Sequence, residues 1–463
     1  MSEEEYRVES DTIGPVKIPK DALWGPQTER SRNNFPSGEL MPLAIIRAFL
    51  NLKKAAAESN VEVGDEPEEK GAAIEDVDHL LQLSDEDLRK DFPLHVLQTG
   101  SGTQSNMNVN EVVANLANKL HPGLNILPND DVNRGQSSND TYPTAMNIVA
   151  VEALDKLEPA IQHLIDELKI KQDKYWKTVK VGRTHLQDAT PITFGQEVSG
   201  YISALKHDLS YIQELKPTLY ELAIGGTAVG TGLNAAPGMT EKIVAKLSEV
   251  YGHEFKVKTN KFWGLAGIDV VHGALKTLAA DMFKIAQDIR FLASGPRAAY
   301  HELNIPANEP GSSIMPGKVN PTQAEAVTMA AAKVFGNDTT ITFAASQGNF
   351  EMNVFKTVMI AAFLDSCDIL TGTIEGFADK MISGLTVNSE KMDELLENSL
   401  MTVTALSPHI GYHAAAKIAQ AADKEGTTLK EAALKSGELT EEQYDQWMDY
   451  MQMTNIDRTE PED

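Results

Sequence analysis

Apolar residues recur through the middle of the chain at the spacing of one helix face. Across residues 268–292, intervals of three and four residues alternate along a seam made of Ile268, Val271, Leu275, Leu278, Met282, Ile285, Ile289 and Leu292. This pattern predicts one helix about 36 Å long at about 1.5 Å per residue. Similar seams run through residues 154–168 and 198–212. Because helices with long seams pack at shallow angles, the pattern predicts a central long-helix bundle whose apolar stripes form the core.

The flanking segments predict shorter elements. Residues 1–20 predict a short extended lead-in, in which polar residues, Gly14 and Pro15 separate the apolar residues Val8, Ile13, Val16 and Ile18. Residues 42–120 have a helical pattern, interrupted near residue 65 and at residues 100–102. Shorter helices are predicted over residues 390–399, 404–421, 428–435 and 441–451, before an acidic tail (457–463) that we expect to fray.

We therefore predict a mostly α protein with three domains. They are an N-terminal mostly helical domain (1–137), a central long-helix bundle domain (138–393) and a small helical C-terminal domain (394–463).

Composition narrows the classes of function. The 463 residues include 41 Lys and Arg against 67 Asp and Glu, a formal net charge of −26. A field that negative disfavours nucleic acid and anionic membranes. The acidity has two open interpretations, a solvated surface and an adaptation to high salt.

Cysteine content and the termini restrict the class further. The single cysteine, Cys367, cannot form an intramolecular disulfide, a Cys-based zinc site or a multi-thiolate cluster. The acidic N-terminus predicts no signal peptide, and the lack of a run of about 18 apolar residues predicts no membrane span. A cytoplasmic enzyme is the resulting expectation.

Polar islands punctuated by glycine or proline interrupt the helices, and such islands are where function concentrates. The first, residues 98–108 (QTGSGTQSNMN), has small hydroxyl and amide side chains around two glycines, which let backbone N–H groups approach an anion. The second runs from Pro128 to Asp140. There Ser138 and Asn139 precede a predicted helix whose positive end favours a carboxylate. A plain linker and a turn with a helix cap are the alternatives.

Two further islands carry groups suited to proton transfer. Residues 182–191 contain His185, which titrates near neutral pH, although a lone histidine is more often structural. Residues 311–321 (GSSIMPGKVNP) form a shaped loop of a lid-forming type. Nearby N–H groups and Lys318 would stabilise a serine alkoxide there. The glycine-rich residues 225–232 follow a helical stretch, so a dinucleotide site is not predicted.

The loop at residues 311–321 resembles the hallmark of the fumarase/aspartase superfamily. The islands GRTHLQDATP and QTGSGTQSNMN are similar to its other two site regions, and the likeness extends from residue 23 to residue 412. Gly317, Thr322 and Gln323 resemble the class II fumarases, whereas aspartases usually carry Ala at the position of Gly317. The single cysteine separately excludes the unrelated iron–sulfur fumarases. An aspartate ammonia-lyase or a related fumarate-releasing lyase is the alternative.

The resemblance implies both an architecture and a reaction. The architecture is a mostly α fold of three domains, whose long helices pack into a homotetramer with active sites shared among three chains. The reaction is the reversible anti hydration of fumarate to (S)-malate in the tricarboxylic acid cycle, by a hydro-lyase without metal or cofactor.

The resemblance also implies roles for individual residues. Ser312 would be the base, His185 would serve the acid side, and Glu325 would orient and charge the histidine. The sequence does not assign each proton-transfer step to Ser312 or His185. The substrate-binding residues would be Ser101, Gly102, Thr103, Ser137, Ser138, Asn139, Thr184, Ser313, Lys318, Val319 and Asn320.

A second, peripheral dicarboxylate site is implied at Pro128, Asn129 and Asp130. The family usually has histidine immediately before this segment, where this chain has Leu127. Replacing an imidazole with an apolar side chain predicts weak binding at this position.

Overall fold

The computed structural model describes residues 6–263 and 267–462, and helices dominate them. Residues 1–5, which include part of the predicted lead-in, lie outside the described residues. The helices are α1 (Pro26–Asn34), α2 (Leu43–Glu62), α3 (Glu68–Ile74), α4 (Asp78–Leu81), α5 (Asp85–Arg89), α6 (Thr103–Leu120), α7 (Ser138–Lys174), α8 (Phe194–Leu215), α9 (Met239–Tyr251), α10 (Ile268–Leu292), α11 (Thr322–Ser346), α12 (Lys356–Phe377), α13 (Ser389–Asn398), α14 (Ser407–Ile410), α15 (Tyr412–Glu425), α16 (Leu429–Ser436), α17 (Glu441–Trp447) and α18 (Tyr450–Met453).

Short strands pair into two-stranded sheets within the described residues. The strands are β1 (Tyr6–Ser10), β2 (Pro15–Pro19), β3 (Val179–Thr184), β4 (Gln187–Thr193), β5 (Glu221–Leu222), β6 (Lys256–Val257), β7 (Leu303–Asn304) and β8 (Thr386–Val387). The pairs β1–β2, β3–β4 and β7–β8 are antiparallel, and β5–β6 is parallel.

Each predicted apolar seam lies on one long helix. The seam of residues 268–292 coincides with α10, and the other two lie inside α7 and α8. Seam side chains such as Leu157, Leu205 and Leu278 are 0% exposed. Burying each such side chain contributes about 1.5–3 kcal/mol. The prediction of a mostly α fold with long helices is confirmed.

The chain divides into two compact units. Unit 1 comprises Met1–Leu157, Tyr211–Lys276 and Lys333–Ile369, and unit 2 comprises Glu158–Ser210, Thr277–Ala332 and Leu370–Asp463. The divisions fall inside α7, α8, α10, α11 and α12, so each of these helices contributes to both units. The three domains expected from the sequence follow a different division and remain a prediction.

Unit 1 holds α2 at its centre. This helix packs against α3, α6 and α9, and Phe49 and Leu50 on it are 0% exposed. The ring of Phe49 packs against that of Tyr142 in α7, with 5.7 Å between the centroids. These contacts hold the beginnings of α6 and α7 on one rigid frame.

Unit 2 contains a β-hairpin that the sequence analysis did not predict. Thr184 pairs with Gln187, so His185 and Leu186 form a two-residue loop between β3 and β4. The sequence pattern predicts only a polar island at residues 182–191, without strands. Side-chain alternation there is weak, and the loop lacks the usual Asn-Gly or Asp-Gly signal.

The C-terminal helices of unit 2 pack around their own apolar cluster, which includes Leu406, Ile418 and Ala433. The single helix predicted over residues 404–421 is wrong, because Gly411, with φ of 85°, separates α14 from α15. Likewise, α17 and α18 replace the single helix predicted over residues 441–451.

The prediction of a frayed tail is wrong for the described tail residues, which end at Glu462, because Glu462 is hydrogen-bonded to α7. Its N–H donates to Gln172 Oε1 (3.2 Å), and Gln172 Nε2 donates to its carbonyl oxygen (2.9 Å). These hydrogen bonds attach the tail to the part of α7 that lies in unit 2.

Among the residues that the structure describes, one helical stretch, Lys356–Ile382, is long and apolar enough to cross a membrane by length and composition. However, 56% of its most apolar window is buried inside the structure. A core helix meets the same criteria, so the stretch is weak evidence for a span.

Candidate active site

The predicted site residues fall into one group in each unit. Unit 1 carries residues 101–103 and 137–139, together with the peripheral segment 128–130. Unit 2 carries residues 184–185, the loop of residues 311–321 and Glu325.

In unit 1 the structure brings the first and second islands together through hydroxyl groups. Thr103 Oγ1 lies 2.9 Å from Ser101 Oγ and 2.8 Å from Ser138 Oγ, which are hydrogen-bond distances. Thr103 is the first residue of α6, and Ser138 is the first residue of α7. The positive ends of two helices therefore meet at a chain of hydroxyls, an arrangement suited to binding an anion.

The turn before α7 is anchored by a buried carboxylate. Asp140 accepts hydrogen bonds from the backbone N–H groups of Ser137 (2.9 Å), Gly225 (3.0 Å) and Thr227 (2.9 Å). Burial raises the pKa of Asp140 to about 6, although these N–H groups oppose the shift. The glycine-rich loop of residues 225–232 thus supports the turn that carries Asn139.

Lys53 is a member of this network that the sequence analysis missed. It is 0% exposed, and its Nζ donates to Asn106 Oδ1 (2.8 Å), Asn133 Oδ1 (3.1 Å) and Gln136 Oε1 (2.9 Å). Burial lowers the pKa of Lys53 to about 7, while Asp140 opposes the shift. Lys53 belongs to the ordinary helical pattern of α2, so no local signal marks it. Its hydrogen bonds hold the turn that leads to Ser137.

In unit 2, Ser312 occupies a nest of backbone N–H groups. Its Oγ accepts hydrogen bonds from the N–H groups of Ile314 (3.2 Å) and Met315 (3.0 Å). Two donors converging on one oxygen favour negative charge there. Ser312 is half-buried, while its neighbour Ser313 is exposed.

The loop that carries Ser312 is closed at its base. Gly311 N donates to the Lys318 carbonyl (3.0 Å), and Asn320 Nδ2 donates to the Gly311 carbonyl (2.6 Å). A Cβ at Gly311 would lie 2.2 Å from the Lys318 oxygen, so only glycine fits there. Lys318, Val319, Asn320 and Glu325 line one cavity of about 480 Å³.

His185 stands exposed at the tip of the β3–β4 hairpin, next to the exposed Thr184. His185 and Leu186 have φ of 58° and 59°. A turn with positive φ at both central residues suits Asn-Gly, so this His-Leu loop keeps backbone strain. Arg183 fixes the hairpin, with Nη2 2.7 Å from Glu302 Oε1 and its guanidinium 4.5 Å from the centre of the Tyr300 ring.

Glu325 lies one turn into α11, and its Oε1 is 3.7 Å from Arg290 Nη2. Within the described part of the chain, no hydrogen bond joins His185 to Ser312 or Glu325. The predicted pairing of Glu325 with the histidine therefore remains a prediction.

The peripheral segment forms a single π-helical turn, Pro128–Val132. Asn129 and Asp130 line an open cavity of about 670 Å³ together with Arg134. Leu127 is 39% exposed. Weak dicarboxylate binding at this position remains a prediction.

Comparison with known proteins supplies the family. A family model described as Lyase matches residues 14–336, and one described as Fumarase C C-terminus matches residues 403–455. The chain is 52% identical to a fumarate hydratase class II of Listeria monocytogenes over 456 residues, covering 97% of this chain and 100% of that protein. Its identity to a fumarate hydratase class II of Bacillus subtilis is 54% over 452 residues, covering 96% of this chain and 97% of that protein.

A solved structure agrees in fold as well as in sequence. The crystal structure of a recombinant class II fumarase from Schistosoma mansoni matches with a TM-score of 0.93 and 40% identity, over 97% of this chain and 99% of that one. These matches confirm the resemblance that the loop of residues 311–321 indicated. The chain belongs to the class II fumarate hydratase family of lyases.

Proposed function

We propose that this chain catalyses the reversible anti hydration of fumarate to (S)-malate, as a hydro-lyase of the tricarboxylic acid cycle. Family membership supports the reaction. The observation that carries the proposal is the position of Ser312, whose hydroxyl oxygen accepts two backbone N–H groups. Such donors stabilise the alkoxide that a serine base requires.

In the malate-to-fumarate direction, Ser312 takes a proton from the methylene carbon. The electron pair of the broken C–H bond passes into the adjacent carboxylate as an aci-carboxylate. It then returns to form the double bond as the C–O bond breaks. His185, directly or through a water, protonates the departing hydroxyl, so that water leaves. Loop N–H groups and Lys318 would stabilise the serine side of the reaction.

The substrate carboxylates would bind at sites in both units. In unit 1 the hydroxyls of Ser101, Thr103 and Ser138 meet at two helix N-termini. In unit 2 the proposed ligands are Lys318 and Asn320, which line one cavity. Hydrogen bonds from each set would position the substrate before the chemical step.

We also propose a cytoplasmic homotetramer whose chains share their active sites. Met329 and Phe343 lie two heptads apart on α11, and their exposed fractions are 67% and 59%. Large apolar side chains repeated along one exposed face favour association. Sharing would bring His185 of one chain to Ser312 of another.

Separate assays with malate and aspartate test the reaction. Fumarate absorbs in the ultraviolet, so its formation from each substrate can be followed directly. We expect fumarate from malate and none from aspartate. Fumarate from aspartate alone would instead assign the chain as an ammonia-lyase and refute the proposal.

A further inference from the structure

A cavity of about 170 Å³ in unit 1 shares Asn139 with the candidate site. Its other walls include the loop of residues 226–230, residues 347–348 and 350–353, and Lys356. The volume is below the roughly 300–1,000 Å³ of pockets for drug-sized ligands. It suits one carboxylate end of a small acid.

Lys356 brings a buried cation to this cavity. It is 2% exposed, and within the described chain its Nζ donates only to the thioether of Met352, at 3.6 Å. Sulfur is a weak acceptor, so this contact compensates little of the desolvation of an ammonium. Burial lowers the pKa of Lys356 to about 8, while Asp140 opposes the shift. Asp140 also lines this cavity, but the hydrogen bonds that it accepts come from three backbone N–H groups. Within the described chain, the Lys356 ammonium therefore keeps donors for another anion.

Thr227 brings an unused hydroxyl to the same cavity. It is 6% exposed, and its Oγ1 has no hydrogen-bond partner among the described residues. Its φ is 53°, a region that β-branched residues rarely adopt. Backbone strain and an unsatisfied buried hydroxyl occur together at ligand sites more often than in ordinary loops.

Lys356 is also joined to the first island. Its backbone N–H donates to the Gly100 carbonyl at 3.0 Å, and a Cβ at Gly100 would lie 1.3 Å from the Val354 oxygen. The island can therefore pack against this segment only because residue 100 is glycine. α12 begins at Lys356, so its positive end adds to the charge of the ammonium.

We propose that Lys356 and Thr227, together with Asn139, bind the same substrate carboxylate that the other candidate residues of unit 1 face. This inference rests on the proposed function and names a carboxylate subsite for it. The residues expected to bind substrate in unit 1, 101–103 and 137–139, are all uncharged. A chain of net charge −26 repels a dicarboxylate, and a buried lysine supplies the local attraction that such a substrate needs.

The test uses Lys356→Gln, Lys356→Arg and Thr227→Val in the full chain. KM and kcat are measured for malate, and calorimetry measures the affinity for succinate, a four-carbon dicarboxylate that cannot eliminate water. Loss of the ammonium in Lys356→Gln should raise KM and weaken succinate binding about 10- to 100-fold, as expected for a charge-assisted hydrogen bond. Lys356→Arg should retain most of the affinity. Thr227→Val should weaken succinate binding about 3- to 10-fold, as expected for the loss of a neutral hydrogen bond.

Lys171→Gln is the matched control, because Lys171 is also buried but donates to the Ser383 carbonyl in unit 2. Its KM and succinate affinity should stay near the wild-type values. If Lys356→Gln does not fold, Thr227→Val tests the inference instead. The Thr227 hydroxyl has no hydrogen-bond partner among the described residues, so its removal breaks no hydrogen bond of the fold.

Unchanged KM and succinate affinity in the folded variants would overturn the inference, and malate turnover by the wild type would still support the proposed function. Weaker succinate binding with unchanged KM would also overturn it, because the cavity would then bind an anion other than the substrate. A wild type that forms no fumarate from malate would refute the proposed function, and succinate calorimetry would still test the cavity.

Discussion

Ser312 and His185 each have a local geometry that is unusual for a surface residue. The Ser312 oxygen accepts two backbone N–H groups, and His185 keeps a φ of 58° at an exposed hairpin tip. The Ser312 nest restricts the backbone of its loop, and the positive φ at His185 strains the hairpin. Neither arrangement buries apolar surface. Such costs are typical of functional sites.

Replacing Ser312 by Ala should lower kcat for malate by about 10²- to 10⁴-fold, because the variant lacks the proposed base. Stopped or continuous ultraviolet assays of fumarate formation provide the measurement. The unfolding midpoint should not change, because the side chain makes no buried contact. Ser436→Ala, in the C-terminal helices, serves as the matched control. Wild-type turnover in Ser312→Ala would remove this residue from its proposed role.

Asp208 in α8 provides a prediction about stability and pH. It is 1% exposed, and burial, with help from the neighbouring Asp281, raises its pKa to about 8 from 3.8. The folded state therefore keeps a proton that the unfolded state releases between these pH values. The stability contributed by this group is fully present below pH 3.8 and is lost as the pH rises through about 8.

Asp208→Asn mimics the protonated carboxyl at every pH. We expect its free energy of unfolding to exceed that of the wild type by about 1–3 kcal/mol at pH 9, with the advantage shrinking towards pH 5. Urea unfolding at several pH values measures the difference. The exposed Asp393→Asn should show no such trend. An advantage that is constant with pH would contradict the prediction.

At the scale of elements, the beginning of α6 depends on one glycine. Gly102 has φ of 83°, and a Cβ there would lie 2.1 Å from the Tyr142 ring. That ring is 0% exposed and packs against Phe49. The close approach of backbone to ring places Thr103 within hydrogen-bond distance of Ser138.

Gly102→Ala should therefore destabilise the fold by about 2–4 kcal/mol, from backbone strain and overpacking together. Urea unfolding measures the loss, and KM should rise because the hydroxyl chain shifts. Gly123 is the control. Its φ is 104°, but nothing lies within 4 Å of an added Cβ. Gly123→Ala should therefore lower the free energy of unfolding only through backbone strain, by about 1–2 kcal/mol. Equal losses in the two variants would refute the role assigned to the ring contact.

Elements with a strong period were predicted well, and elements without one were not. The seam of residues 268–292 coincides with α10 because burial repeats every three or four residues along it. The β3–β4 hairpin was missed because its register depends on cross-strand pairing rather than on local alternation. The helix predicted over residues 404–421 was interrupted by Gly411, where positive φ ends a helix regardless of the apolar period.

At the scale of the whole molecule, the proposed tetramer makes a direct prediction. Met329 is 67% exposed on α11, and a charge introduced there would be buried without a partner if chains associate through this face. Met329→Glu should therefore shift the molar mass from four chains towards smaller species and lower activity. Light scattering at several protein concentrations measures the mass.

Ile13→Glu is the control for this surface. Ile13 is 79% exposed beside the β1–β2 turn, away from the long-helix seams in sequence. The Ile13→Glu variant should keep the molar mass of the wild type. A wild type with the mass of one chain, or a fully assembled Met329→Glu, would refute assembly through α11.

The sequence by itself determined the long helices, the polar islands and the family, because periodic burial and contiguous motifs are local features of a chain. Only the tertiary structure decided that the hydroxyls of Thr103 and Ser138 meet, or that Lys53 holds the turn before Ser137. These contacts join residues that are distant in sequence. A lysine within an apolar helical pattern gives no local indication of its hydrogen-bond partners. The motif at residues 311–321 indicated the family, but the two N–H groups that donate to Ser312 depend on how this loop folds.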